Sequence, residues 1–156
     1  MRPRVLWIED SARFELRNLT GPVYHGGRYE FQQAENVTTG VNFIRTKPYD
    51  ALIVDIRLPP GPDSHWRKIY GDANLSGGSD KLGLKLLYWL LSKDWSYLPP
   101  PPGWIQVSRI GVFTVESLFE ISGNLADLGI DVFCQKTAGL PDTALRDMID
   151  KLLLRN

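Results

Sequence analysis

The stretch ALIVD, residues 51–55, constrains this chain more than any other. Four apolar residues run without alternation into Asp55, then Ile56, Arg57, Leu58 and two prolines. A short unbroken apolar run predicts a strand covered on both faces, and such strands belong to parallel sheets flanked by helices. The acid at its end then needs a reason. An ionised carboxylate left unpaired beside buried surface costs several kcal/mol, on the order estimated for desolvated charges. Either something pairs Asp55 or it is there for chemistry.

The rest of the chain supplies partners for such a strand. Val5–Ile8, Tyr29–Ala34, Ile110–Phe113 and Val132–Gln135 also read as strands. Helical patterns fall between them. They are Ser11–Leu19 with Phe14 and Leu19 inward, Val37–Ile44, Leu82–Ser92, and Ser117–Leu128, which Gly123 weakens and Gly129 stops. Gly21–Gly27 reads as a turn-rich loop. The last helix follows a start signal at Pro141 and Asp142 and carries Leu145, Met148, Ile149, Leu152 and Leu153 in one stripe. Strands alternating with helices imply crossover connections and a three-layer α/β domain with one five-stranded parallel sheet.

The 156 residues suit a single domain, 1–156, with one real core. Lys plus Arg and Asp plus Glu both total 18. That balance argues against direct DNA binding, which normally shows a basic excess. A single cysteine, Cys134, permits no intrachain disulfide. The N-terminus lacks a signal-peptide pattern and no apolar run is long enough to cross a membrane, so a cytoplasmic location is expected.

In an open parallel sheet, ligands bind beyond the carboxyl ends of the strands. The first strand ends in Glu9 and Asp10, the third in Asp55, the fourth in Thr114 and the fifth in Lys136. Crowded carboxylates repel unless a cation joins them, and an all-oxygen set of this size suits Mg²⁺. Three carboxylates, one ammonium and one Mg²⁺ sum to about zero charge, so the edge would tolerate an incoming phosphoryl group.

This pattern resembles the receiver domain of two-component response regulators. The resemblance rests on WIEDS, LIVDIRLP, GVFTVES and VFCQKTAG, each at a strand end and in the right order, and it covers nearly the whole chain. It implies a flavodoxin-like sheet of order 2-1-3-4-5. It also implies that Asp55 accepts a phosphoryl group from a phosphohistidine of a histidine kinase or phosphotransfer protein. Asp10, Glu9, Asp55 and the Arg57 carbonyl would hold Mg²⁺. Lys136 would contact the phosphoryl oxygens, and Thr114 would donate its hydroxyl to them. Phe133 would be the switch aromatic, repacking to alter a face read by a downstream protein target. Arg57 and Glu116 would flank the site and tune the lifetime of the acyl phosphate. The expected product is a stand-alone phosphoacceptor that assists its own phosphorylation and dephosphorylation and is not a turnover enzyme. The alternative is an unphosphorylated pseudo-receiver used for docking.

Other classes fit less well. Aspartyl-phosphate hydrolases usually place a second acid two residues after the nucleophile, where this chain has Arg57. A flavin site would need a hydroxyl- and glycine-rich loop after the first strand, and EDSARFE is not one. Two departures from the family pattern stand out. Thr137 follows Lys136 in place of proline, so a cis peptide is not expected there. Val115 follows Thr114 in place of a small residue and narrows access for small phosphodonors.

Two connections are enlarged, about 59–81 and 93–108. In the first, Ser64 is a candidate cap for a short helix with Trp66, Ile69 and Tyr70 on one face. That segment is either a recognition flap or lid over Asp55, or a surface insertion whose aromatics pack locally. The four prolines from Pro99 to Pro102 read as a stiff connector rather than a polyproline ligand. His25 and His65 read as surface residues, and Tyr88 and Trp89 as core or interface residues.

Overall fold

Strands β1 (Arg4–Ile8), β2 (Glu30–Ala34), β3 (Ala51–Val54), β4 (Ile110–Thr114) and β5 (Val132–Gln135) form one sheet of order β2-β1-β3-β4-β5. Every neighbouring pair is parallel. The helices are α1 (Arg17–Tyr24), α2 (Val37–Thr46), α3 (Ser64–Leu75), α4 (Leu82–Leu90), α5 (Leu118–Leu128) and α6 (Ala144–Leu153), with a 3-10 turn at Val107–Arg109 before β4. The computed structural model describes residues 1–10, 16–75, 81–93 and 98–155, without the side chains of 73–75.

The unbroken apolar strands do what such strands must. All four residues of β3 are buried, as are the five of β4. One face of the sheet, with Leu6, Ile8, Leu52 and Val54, packs under Val41, Ile44, Leu86 and Ile121 of α2, α4 and α5. The other, with Val5, Trp7, Ile53 and Phe113, packs under Leu19, Val23, Leu145 and Ile149 of α1 and α6. The expected architecture and strand order are therefore observed.

Local signals account for several helix ends. The Asn36 side chain caps α2 by accepting from Thr39 N, and Ser117 caps α5 by accepting from Glu120 N. Gly129 ends α5 at φ 76°, in the left-handed region that glycine tolerates. In α6, Leu145, Met148, Ile149 and Leu152 are buried as the stripe requires.

Two local expectations are corrected. The first helix does not end at Leu19. It spans Arg17–Tyr24 and carries Gly21 and Pro22 inside it, within the segment expected to be a loop. Burial of Leu19, Thr20 and Val23, with Leu19 and Val23 packed among α6 side chains, outweighs the weak helix propensity of Gly and Pro. Asn18 Nδ2 also donates to Asp142 Oδ1 at 2.7 Å. The earlier half of the expected helix, including Phe14, lies outside the described residues.

The second correction concerns the cap in the 59–81 connection. Asp63, not Ser64, accepts from the N–H groups of His65 and Trp66, at 2.8 and 3.2 Å. An ionised carboxylate is the better acceptor at a helix start. The helix that follows is long, and its aromatics are not a loose surface cluster. Trp66 is 2% exposed and meets Trp89 edge to face at 6.1 Å. Ile69 and Tyr70 pack against the same core. Before α3, the chain is pinned by Val37 N and Thr38 N, which donate to the carbonyls of Pro59 and Pro60 at 3.0 Å each. In the second enlarged connection, Trp89 Nε1 donates to Pro99 O at 2.9 Å, tying the proline run to α4.

Candidate functional site

The parallel register brings the strand ends level. Ile8 pairs with Val54, Val54 with Val112, and Thr114 with Gln135. The residue after each of β1, β3 and β5 is a charged group, so Glu9, Asp55 and Lys136 meet at one edge. Backbone bonds fix their stems. Glu9 N donates to Ala34 O, Asp55 N to Ile8 O and Lys136 N to Thr114 O, at 2.8, 3.1 and 2.8 Å.

Glu9 is fully buried and Asp55 is 2% exposed, while Asp10 beside them is exposed. One carboxylate oxygen from each of the three lies within 4.8 Å of the others. Lys136 reaches into this group. Its Nζ donates to Asp55 Oδ2 at 3.0 Å and to Glu9 Oε1. The ammonium also lies 5.9 Å from the centre of the Phe113 ring, so an aromatic face supports it from below.

One ammonium does not balance three carboxylates. Burial, reinforced by the neighbouring Asp55 carboxylate, pushes the Glu9 carboxyl up to about 9, against the lowering effect of Lys136. Glu9 Oε2 is buried with no hydrogen-bond partner among the described residues. A buried acceptor without a donor, inside an all-oxygen set, fits a hard divalent cation such as Mg²⁺. A bound divalent charge would favour the ionised form of Glu9 instead.

The remaining expected residues surround this centre. Arg57 N donates to Asp55 Oδ1 at 3.3 Å, which helps hold the carboxylate. Thr114 is fully buried, and its Oγ1 accepts from Glu116 N at 3.3 Å, leaving its O–H to donate. Arg57 Nε donates to Glu116 Oε1 at 2.6 Å, with the Arg57 side chain half exposed and Glu116 at 3%. These two side chains therefore form an ion pair beside Asp55. Val115 is 47% exposed. It lines an open cavity of about 380 Å³ with Asp10, Asp55, Arg57, Lys136 and Thr137. Among the described residues, none of 59–75 lines that cavity. Phe133 is half-buried against the α2–α4–α5 side of the core.

Two positions that matter here went unnoticed in the sequence. Phe113 is one, since a buried aromatic in an apolar strand gives no sign that an ammonium lies over it. Gly83 is the other. A Cβ on Gly83 would sit 2.0 Å from Asp55 O and 2.7 Å from Ile56 Cα, and Gly83 N donates to Ile56 O at 2.8 Å. The start of α4 thus rests directly on the turn that carries Asp55. Only the absence of a side chain permits that approach, and the LGLKLL pattern of an apolar helix does not announce it.

No protein-family model and no curated protein sequence matches the chain. Solved structures do. A CheY-like response regulator receiver domain protein from Methanospirillum hungatei matches with a TM-score of 0.62 at 17% identity, over 98% of this chain and 94% of that one. The receiver domain of Francisella response regulator 1452 matches with a TM-score of 0.62 at 16% identity, over 97% of each chain. Response regulator protein TrrA of Thermotoga maritima, solved in complex with Mg²⁺-BeF, matches with a TM-score of 0.57 at 19% identity, over 98% of this chain and all of that one. The chain has the fold of the receiver domains of response regulators.

Proposed function

We propose that this protein is a phosphoacceptor in two-component signalling, with Asp55 as the acceptor. An Asp55 oxygen attacks phosphorus, the P–N bond of a partner's phosphohistidine breaks, and the imidazole departs with the bond's electron pair. The donor is a histidine kinase or phosphotransfer protein. Lys136, already 3.0 Å from Asp55, holds one phosphoryl oxygen, and Thr114 donates its hydroxyl to another. Glu9, Asp10, Asp55 and the Arg57 carbonyl would hold Mg²⁺, which would supply neutralisation of phosphoryl charge. The observation that carries this reading is the Lys136 ammonium set between two buried acids, one of which has an oxygen without a hydrogen-bond partner among the described residues. The Mg²⁺-BeF complex of the Thermotoga relative supports it. The protein acts as a switch rather than as a turnover enzyme. Its output is a changed face around Phe133, α5, β5 and α6, read by a downstream protein.

Two features favour the docking alternative: Arg57, paired with Glu116, and the exposed Val115 both border the cavity that holds Asp55. Intact mass after incubation with a phosphodonor and Mg²⁺ separates the readings. Wild type is expected to gain one phosphoryl group and Asp55→Asn none. Equal uptake by both would sink the assignment of Asp55, and failure of every donor and kinase to modify wild type would leave docking alone. No helix among the described residues is long and apolar enough to cross a membrane.

A further inference from the structure

Lys136 springs from the end of β5, and Asp55 from the end of β3. Strand β4 lies between them, so the Lys136 side chain has to cross it to reach either acid. What it crosses follows from strand alternation. Trp7, Ile53, Phe113 and Cys134 share the α1–α6 face of the sheet, and Phe113 is paired with Cys134 in register. Two residues beyond Trp7, Ile53 and Cys134 come Glu9, Asp55 and Lys136. Phe113 is therefore the β4 member of the row just beneath the charged group. Its ring centre is 5.9 Å from Lys136 Nζ, within the roughly 6 Å over which a ring face attracts a cation.

The ring is firmly backed. Phe113 is fully buried, and Trp7 meets it edge to face at 6.2 Å. Trp7 in turn lies 6.3 Å from Phe31, which meets Tyr24 edge to face at 5.5 Å. Phe113 thus rests on a row of rings that runs across β1 and β2 to α1.

An aromatic suits this position for a chemical reason. An ammonium has three N–H donors. Two of those on Lys136 go to Asp55 and Glu9. A polar oxygen at position 113 would compete for the third, and a carboxylate would pull the cation away from Asp55. A ring face attracts the charge without supplying an oxygen acceptor, and its pull strengthens as water is excluded. We propose that Phe113 is a positioning residue: its ring holds the Lys136 ammonium beside Asp55 while leaving one N–H for an incoming phosphoryl oxygen. This rests on the phosphoacceptor reading of Asp55.

Two measurements on the full chain test it. In the first, phosphoramidate and Mg²⁺ supply the phosphoryl group and intact mass gives the rate. Phe113→Leu is expected to slow uptake about tenfold. Trifluorophenylalanine at position 113 keeps the ring but strips the negative charge from its face, and it should slow uptake comparably. In the second, urea denaturation without donor or Mg²⁺ compares the same changes in wild type and in Lys136→Met. Each is expected to lower the folding constant about fivefold more when the ammonium is present than when it is absent, the coupling that a double-mutant cycle isolates. A ring that only fills space would give equal losses in both backgrounds, or a fluorinated variant that behaves as wild type in both measurements. Either result would overturn the proposal. Wild type that takes up no phosphate would defeat the phosphoacceptor reading instead, and the urea cycle would still decide whether Phe113 holds Lys136. The fluorinated variant decides if Phe113→Leu fails to fold.

Discussion

The two ends of β3 face unlike chemistry. At its carboxyl end, Asp55 joins Glu9, Asp10 and Lys136 in a group whose charges do not cancel. At its amino end, Tyr49 and Asp50 meet Trp104 and Arg109 around an aromatic cavity. Between the ends, Ala51–Val54 is buried on both faces and leaves no room for polar groups. A strand like this can present chemistry only where it enters and leaves the sheet. The difference teaches what each end is built for. The amino end is held by packing and by hydrogen bonds such as Arg4 N to Asp50 Oδ2. The carboxyl end carries excess negative charge, an arrangement suited to a cation.

The comparison breaks first at the amino end if packing does not hold it. Tyr49→Ala is expected to cost about 3–5 kcal/mol, as large-to-small aromatic truncations do. The loss should be the same at pH 5 and pH 8 in urea denaturation. A strong pH dependence there would erase the contrast between the two ends.

At the carboxyl end, Lys136→Met removes the ammonium shared by Glu9 and Asp55. Stripping one partner from a buried ion pair costs about 3 kcal/mol. The same denaturation series should show that cost at pH 5 and pH 8 alike, because the folded Glu9 carboxyl ionises only near 9. A cost no larger than that of an exposed lysine would mean the acids do not depend on Lys136.

Glu9 gives the pH dependence its sign. The unfolded carboxyl ionises near its ordinary 4.5 and the folded one only near 9. Between those values the folded state holds the extra proton, so metal-free stability falls as pH rises through the window. Glu9→Gln should flatten the profile by up to about 1.4 kcal/mol per pH unit, the value of one proton. Added Mg²⁺ should raise the melting temperature more at pH 8 than at pH 6, because it favours the ionised carboxyl. An unchanged slope in Glu9→Gln would place the excess charge elsewhere.

The smallest effect belongs to the Arg57–Glu116 pair beside Asp55. If it slows attack of water on the acyl phosphate, Arg57→Ala and Glu116→Ala should each speed dephosphorylation about fivefold, equivalent to about 1 kcal/mol in barrier. Decay of phosphorylated protein, followed by mass, reads this directly. Unchanged decay in both variants would reduce the pair to a surface contact.

What the sequence determined by itself was the sheet and its working edge. Unbroken apolar runs such as ALIV have only one economical fate, burial on both faces, and five βα steps dictate parallel strands. Because side chains at strand ends are placed by the backbone register, Glu9, Asp55, Thr114 and Lys136 could be assigned to one edge from their positions alone. Tertiary structure decided the rest. Helix α1 runs through Gly21 and Pro22 because burial of Leu19 and Val23 outweighs local propensity. The insertion became a core-packed helix through the Trp66–Trp89 contact, which links residues with no periodic relation. Gly83 lies against Asp55 because of how α4 crosses the sheet. The aromatic cavity exists only because a distant connection folds back to set Trp104 beside Tyr49. Local pattern records which face of an element is apolar. Contacts between elements depend on how those faces close against one another in three dimensions, and that is settled by packing the whole chain.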